Sequence, residues 1–192
     1  VTNLRSGGFK PPVFVLASAF MPTHRYYIPD RPVFITQVVE KRRPIFRENR
    51  GAQLWLETLR AVKVIHPFTM VAYVLLPEHF HLLIIPQGSE TFSTIMHSLK
   101  RNFSADYYET HGGRGQGALW QKGFFDHVIR DEEDLHHHLD YIHFNPVKHG
   151  VAVSAAEWPY STFSAWCERG AYSLDWRVGC APGIEDVKAD LE

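Results

Sequence analysis

The segment from residue 68 to 85 reads FTMVAYVLLPEHFHLLII, and it decides most of the predicted fold. Phe68 to Leu76 is apolar and rich in β-branched and aromatic residues, which predicts a strand, and His79 to Ile85 predicts another. Pro77 and Glu78 between them suit a tight turn. We therefore expect an antiparallel hairpin.

The second strand of this hairpin carries the sequence His79-Phe80-His81. Side chains alternate along a strand, so the two imidazoles should project to one face and Phe80 to the other. Imidazole is the commonest metal ligand in proteins. The pair therefore predicts half of a metal site.

Outward from the hairpin, apolar periodicity and breaking residues predict the remaining elements. They are a strand over 33–39, a helix over about 50–64, a helix opened by Ser89 and Thr91 and running to about Tyr108, a flexible loop over 112–117, a strand over 119–129, and a helix from Asp131 that ends near Asn145 because Pro146 follows. The order β-α-β-β-α-β-α predicts an α+β class. Specifically, we expect a ferredoxin-like (split β-α-β, RRM-like) antiparallel sheet with an additional C-terminal catalytic helix.

The last helix concentrates groups that can do chemistry. At about 100° per residue, His137, His138 and Asn145 lie within roughly 60° of Tyr141, with the leucines of this helix on another side. This face offers a phenolic nucleophile, an amide oxygen ligand and spare imidazoles. A structural amphipathic helix shows the same separation of faces, so the pattern alone leaves both interpretations open.

The charge is divided along the chain. The net charge is −1, but residues 1–150 hold 17 Lys and Arg against 14 Asp and Glu, and residues 151–192 hold 3 against 7. Basic groups near aromatic side chains suit single-stranded DNA. The predicted DNA-binding residues are Lys41, Arg42, Arg43, Lys100, Arg101 and Trp120, although charge runs are also common on ordinary solvated surfaces.

Length and composition predict three segments. Residues 1–20 should form a disordered leader, 21–165 the catalytic domain and 166–192 an acidic tail. With 2 cysteines and no zinc-binding spacing, a reducing compartment and a cytoplasmic location are expected. No stretch approaches the length of a membrane span. The sequence leaves monomer and homodimer equally open.

Four motifs carry a resemblance to a known family. They are LPEHFH at 76–81, WQ at 120–121, DYIHFNPVKHG at 140–150 and WPYSTF at 158–163. Together they resemble the REP-associated tyrosine transposases, which belong to the single-tyrosine HUH transposases of the insertion-sequence type. The resemblance covers about residues 25–165, and the motif around Tyr141 is its most specific part.

The resemblance implies a role for each matching residue. His79 and His81 would bind a divalent cation, Mg²⁺ or Mn²⁺, with Asn145 as third ligand, and Tyr141 would be the nucleophile. The activity implied is that of a metal-dependent single-stranded DNA endonuclease and strand transferase, acting through a 5′-phosphotyrosine intermediate on REP-type hairpins. A phenol is mostly neutral at pH 7, so the metal or an imidazole such as His137 or His138 must take its proton.

Two other classes of function remain open. A catalytically silent single-stranded nucleic-acid-binding module would share the fold, because ferredoxin-like sheets often only bind single strands. A metal-dependent hydrolase would use Tyr141 only to orient its substrate. The sequence contains no H-E-x-x-H motif, which weighs against the common zinc hydrolases.

Overall fold

The computed structural model describes residues 27–112 and 117–177. The predicted disordered leader at 1–20, the centre of the predicted loop at 112–117 and the end of the predicted acidic tail lie outside the described residues. Within the described ranges, no helix is both long and apolar enough to cross a membrane.

Four strands form one antiparallel sheet, as predicted for a ferredoxin-like fold. They are β1 (Val33–Val38), β2 (Phe68–Leu75), β3 (His79–Pro86) and β4 (Phe125–Val128), in the order β2-β3-β1-β4. The predicted hairpin is present as β2 and β3, and β3 pairs on its other side with β1. The central position of β3 and β1 places the two histidines in the middle of the sheet.

The helices cover both faces of this sheet. They are α1 (Asn49–Ile65), α2 (Phe92–His111), α3 (Glu132–Lys148) and the short α4 (Phe163–Glu168). Helices α1 and α2 supply a core cluster that includes Trp55, Leu99 and Phe80, whereas α3 packs Leu139, Tyr141 and Ile142 against Phe34 on the opposite face. Phe80 therefore points away from α3, and the residues on either side of it point toward α3.

Side chains cap the N-termini of two helices. Thr91 accepts a hydrogen bond from the backbone N–H of Thr94 (3.1 Å), and Asp131 accepts one from Asp134 N–H (2.9 Å). The first turn of α3 also carries Glu132, Glu133 and Asp134, whose negative charge is favourable at a helix N-terminus. The helix that bears the predicted nucleophile thus begins where its sequence predicts.

The predicted strand over 119–129 is wrong in its length. Gln121 N–H bonds to the Val38 carbonyl (3.0 Å) and Trp120 forms a bridge with Val39, but regular pairing resumes only at Phe125. Gly123 lies between them with φ +78°, a left-handed backbone that breaks the ladder. The resulting bend, residues 121–124, forms one rim of the cleft described below.

The predicted end of α3 near Asn145 is also wrong. The helix includes Pro146 and continues to Lys148, after which His149 N–H bonds back to the Asn145 carbonyl (3.0 Å). Proline removes one hydrogen bond but has a helical φ, so a single proline in the last turn is compatible with a helix that packing holds in place. The extra turn brings Lys148 and His149 to the site.

The chain after α3 packs against the domain up to at least residue 177. Residues 160–162 pair with the outer edge of β2 through Leu75 N–H to the Tyr160 carbonyl (2.9 Å) and Thr162 N–H to the Tyr73 carbonyl (3.1 Å). Tyr172 donates to Asp140 of α3 (2.8 Å), and Trp176 contacts Phe144 at 6.3 Å between ring centroids. Residues 166–177 therefore cover α3, although they were predicted to belong to the acidic tail.

Candidate active site

The two histidines of β3 face α3 and are almost completely buried. His79 is 4% exposed and His81 1%, and their ring centroids lie 5.0 Å apart. Register explains the placement, because His81 pairs with Thr36 and His79 with Val38 on β1. Burial of two polar rings on one face is costly unless something binds them.

Each imidazole is oriented through its Nδ1 atom. His79 Nδ1–H donates to the Glu78 carboxylate (3.1 Å), and His81 Nδ1 shares a hydrogen bond with Thr36 Oγ1 (2.8 Å). A histidine that donates from Nδ1 keeps a lone pair on Nε2 for a cation. This is the arrangement expected of metal-ligating histidines.

Helix α3 brings Tyr141 and Asn145 to the same place. The Tyr141 ring lies 5.1 Å from the His81 ring, and Asn145 one turn later is fully buried. Several buried side-chain atoms of the described residues have no hydrogen-bond partner, and two of them, His81 Nε2 and Asn145 Oδ1, belong to side chains of this site. A nitrogen and an oxygen left unpaired near each other fit a site for a cation that accepts both kinds of ligand.

The electrostatics keep His81 neutral. Burial lowers the pKa of His81 well below its usual value, and the nearby His79, His149 and Lys148 lower it further, with a small opposing effect from the Asn145 amide. A neutral imidazole is the form that binds a metal. At pH 7 the ring is thus ready to act as a ligand.

An open cleft of about 370 Å³ gives access to these groups. Its lining includes His79, His81, Tyr141 and His149, together with the bend at 121–124 and Phe125. Arg42 lies at the rim, 3.7 Å from Glu78. A nucleic-acid strand bound in this cleft would contact the positively charged guanidinium of Arg42 at its edge.

The two predicted proton acceptors differ in their surroundings. His137 is exposed, whereas His138 is 7% exposed, donates from Nδ1 to the Asp134 carbonyl (2.8 Å) and lies 3.1 Å from an Asp134 carboxylate oxygen. Burial lowers the pKa of His138 below its ordinary value. Its Nε2 atom is buried and has no partner.

His127, Asp134 and His138 form a second group able to hold a metal ion, with ligand atoms all within 4.8 Å of one another. The carboxylate of this group, however, is already hydrogen-bonded within the protein, and of its two histidines only His138 has an unpaired Nε2 atom. One Asp134 carboxylate oxygen accepts from His127 Nε2 (2.8 Å), from Arg130 N–H (2.9 Å) and from Arg130 Nε (3.1 Å). A cation there would have to break these bonds beside a guanidinium, so His79, His81 and Asn145 fit a cation better.

The predicted DNA-binding residues are placed differently from one another. Lys41 and Arg42 are exposed beside the cleft, whereas Arg43 bonds to the Glu40 and Ala118 carbonyls. Across the bend, Arg101 is exposed and Lys100 donates to the Gly123 carbonyl (3.0 Å).

Trp120 does not suit its predicted role. It is 7% exposed, packs against Phe80 and Phe103 in the core, and donates its indole N–H to Ser104 Oγ (2.9 Å). A ring held in this way cannot stack on a base.

Sequence reasoning gave no role to several residues of the site. Glu78 and Thr36 orient the histidines, Lys148 holds its ammonium 5.0 Å above the Tyr141 ring, and His149 lies 5.0 Å from His79. Three of them had a signal, because Glu78 lies in the 76–81 motif and Lys148 and His149 lie in the 140–150 motif.

Comparisons with known proteins show the family. The family described as "Transposase IS200 like" matches residues 33–145. A REP-associated tyrosine transposase of Escherichia coli K12 is 37% identical over 153 residues, which is 79% of this chain and 88% of the relative. A solved structure described as the REP-associated tyrosine transposase bound to a REP hairpin has a TM-score of 0.72 and 35% identity, and the match covers 81% of this chain and 90% of that one. The chain therefore belongs to the IS200-like transposases, as an enzyme of the REP-associated tyrosine transposase type.

Proposed function

We propose that this transposase is a metal-dependent single-stranded DNA strand transferase that works through a 5′-phosphotyrosine at Tyr141. One observation carries the proposal. Tyr141 stands 5.1 Å from a neutral, buried His81 whose Nε2 atom is unpaired, and the unpaired Asn145 oxygen is on the same helix one turn away. A silent binding module has no need of such a group.

His79, His81 and Asn145 would hold the cation, Mg²⁺ or Mn²⁺. A cation bound there would polarise the scissile phosphate and offset the negative charge that develops on its oxygens. Glu78 and Thr36 hold the two rings in orientation, and burial excludes competing water from His81.

Tyr141 Oη would attack the scissile phosphorus. The Oη–P bond forms, the P–O3′ bond breaks, the departing 3′ oxygen takes a proton, and the 5′ end stays attached to the enzyme. A second 3′-hydroxyl can reverse these bonds and join strands without ATP. Lys148 holds its ammonium 5.0 Å above the Tyr141 ring, so a positive charge lies beside the attacking side chain.

His138 is the better candidate for the group that takes the tyrosine proton. It precedes Tyr141 by three positions, its Nδ1 is fixed by Asp134, and its lowered pKa leaves it neutral at pH 7. His137 is exposed and has no such orientation.

The substrate we propose is single-stranded DNA beside a REP-type hairpin. The solved relative at 35% identity is described as bound to such a hairpin. In this chain, Arg42 lines the cleft, and it can bind phosphates together with its exposed neighbour Lys41 and with Arg101 beyond the bend.

The test is a covalent adduct. The protein is mixed with a labelled REP-type hairpin carrying single-stranded flanks and with Mn²⁺, and the products are separated under denaturing conditions. Label should travel with the wild-type protein and be absent with Tyr141→Phe, which keeps hairpin binding because only a hydroxyl is lost. The control Tyr160→Phe, which removes a hydroxyl bonded to Asn49 away from the cleft, should form the adduct normally. A normal adduct with Tyr141→Phe would refute the proposal.

A further inference from the structure

One aromatic side chain in the cleft has no role in the mechanism above. Phe125 begins β4, the outer strand of the sheet, and is 37% exposed although it is a large apolar residue. It lines the same cleft as His79, His81 and Tyr141. A single exposed apolar residue is common on protein surfaces, but Phe125 lies in the same cleft as the imidazoles and Tyr141, where its ring can contact a bound ligand.

Strand register fixes Phe125 relative to the site. Phe125 pairs with Thr36, and Thr36 pairs with His81 on its other side. Directly paired residues project to the same face of a sheet, so Phe125 is two strands from His81 in the same row.

Phe34 links the ring to the catalytic groups. Its ring meets Phe125 edge-on at 6.3 Å and also contacts His81 at 5.3 Å and Tyr141 at 5.8 Å. A contact at the ring edge holds Phe125 in place without covering both of its faces. The exposed part of the side chain is thus available within the cleft.

The surroundings match those of a base-stacking position. Lys122 on the bend and Arg42 line the same cleft, so basic side chains that can bind phosphates lie in the cleft with the aromatic ring. Proteins bind single strands by combining a positive groove with aromatic rings on which bases stack.

We propose that Phe125 stacks an unpaired base of the nucleotide next to the scissile phosphate. This inference rests on the proposed function, because it takes the cleft as the DNA site. Stacking there would fix the register of the strand, so that the phosphate beside the stacked base meets Tyr141. The preference should be for any base over none, since every base has a π-face.

The test measures binding without cleavage, in a Tyr141→Phe background. The probe is a REP-type hairpin with a short single-stranded flank, in which one abasic site is moved along the flank. Phe125→Ala should weaken binding of the intact probe about 5- to 150-fold, the range expected for one stacked base. Phe125→Trp should retain affinity, and Val153→Ala, at an exposed apolar residue outside the cleft lining, should have no effect.

The abasic series locates the partner. At one flank position, the abasic probe should bind the parent as weakly as the intact probe binds Phe125→Ala, and combining both changes should add little. A base analogue that fluoresces when unstacked, placed at that position, should be quenched by the parent and not by Phe125→Ala. Equal losses on intact and abasic probes at every position, or unchanged affinity of Phe125→Ala, would overturn the stacking proposal. Neither result depends on adduct formation, so failure of this inference is distinct from failure of the proposed function.

Discussion

At the scale of single residues, the site is built around atoms that the fold leaves unpaired. Asn145 Oδ1 and His81 Nε2 are buried without partners, and each such atom costs about 1–3 kcal/mol of folding free energy. Because both atoms belong to the candidate metal site, a cation bound there would remove this free-energy cost. Binding should therefore stabilise the protein as well as prepare it for chemistry.

Replacing Asn145 tests this directly. Asn145→Leu removes the unpaired oxygen at similar volume, so in a chelator it should raise the free energy of unfolding by about 1 kcal/mol. In the presence of Mn²⁺, its affinity for the ion should fall by about tenfold or more, and extra Mn²⁺ should partly restore cleavage. Thermal unfolding and Mn²⁺ titration measure the two effects.

The control for this substitution is Asn102→Leu on α2, whose amide bonds only to Ser98. It should leave the affinity for Mn²⁺ unchanged. If the Asn145→Leu protein is less stable than wild type in a chelator and binds Mn²⁺ with wild-type affinity, Asn145 is not a ligand of the ion.

Local sequence predicted the direction of His79, His81 and Phe80 because strand alternation is a local property. It left two roles open for Trp120, stacking on a base or packing in the core, and the structure places this residue in the core. An aromatic residue between Leu119 and Gln121 has no local feature that separates the two outcomes. Its burial depends on α2 and Phe46, which are distant in sequence.

At the scale of elements, Asp134 joins β4 to the start of α3. It accepts hydrogen bonds from His127 and from the backbone and side chain of Arg130. Burial would raise the pKa of this carboxyl, but the bonds from His127 and Arg130 outweigh it and hold the pKa well below its ordinary value. The ionised carboxylate therefore stabilises the fold.

This pKa shift predicts the pH dependence of stability. A depressed pKa gives stability that is fully present above the unfolded-state pKa near 4 and is lost as pH falls toward the folded-state pKa. Asp134→Asn should cost about 1–3 kcal/mol at pH 7, and the gap from wild type should narrow steadily below about pH 4. Unfolding curves for both proteins from pH 7 to pH 2 measure it. A gap that widens with acid would contradict the assignment.

The elements themselves were largely predictable, and the two exceptions have different causes. The split of the 119–129 strand follows from the left-handed φ of Gly123, a conformation that glycine permits but does not require. Helix α3 passes Pro146 because Phe144, Asn145 and Pro146 are all buried, and a local rule for helix ends does not contain such packing.

At the scale of the whole molecule, α3 lies between the sheet and the chain that follows it. His143 and Phe144 face away from the sheet and are covered by Phe163, Tyr172 and Trp176. Burial lowers the pKa of His143 to about 4. No local periodicity predicted this cover, because it is made by isolated aromatic residues, one at the start of the short helix α4 and two in the irregular chain after it.

Removing residues 163–177, which cover α3, should destabilise the domain. A chain ending at residue 162 should unfold at a temperature lower by on the order of 10 °C than a chain ending at residue 177, because several aromatic side chains lose their partners. Thermal unfolding of the two truncated proteins measures the difference. Equal unfolding temperatures would mean that residues 163–177 add nothing to stability.

In the proposed mechanism, Tyr141 forms the covalent bond to DNA. Digestion of the adduct with protease and nuclease, followed by mass spectrometry, identifies the peptide that carries the nucleotide. We expect one modified peptide, with the remaining nucleotide attached through phosphate to Tyr141, and none from protein with His79 and His81 both replaced by alanine. A nucleotide on any other tyrosine, or a Tyr141 adduct of equal yield from the double histidine variant in a chelator, would contradict it.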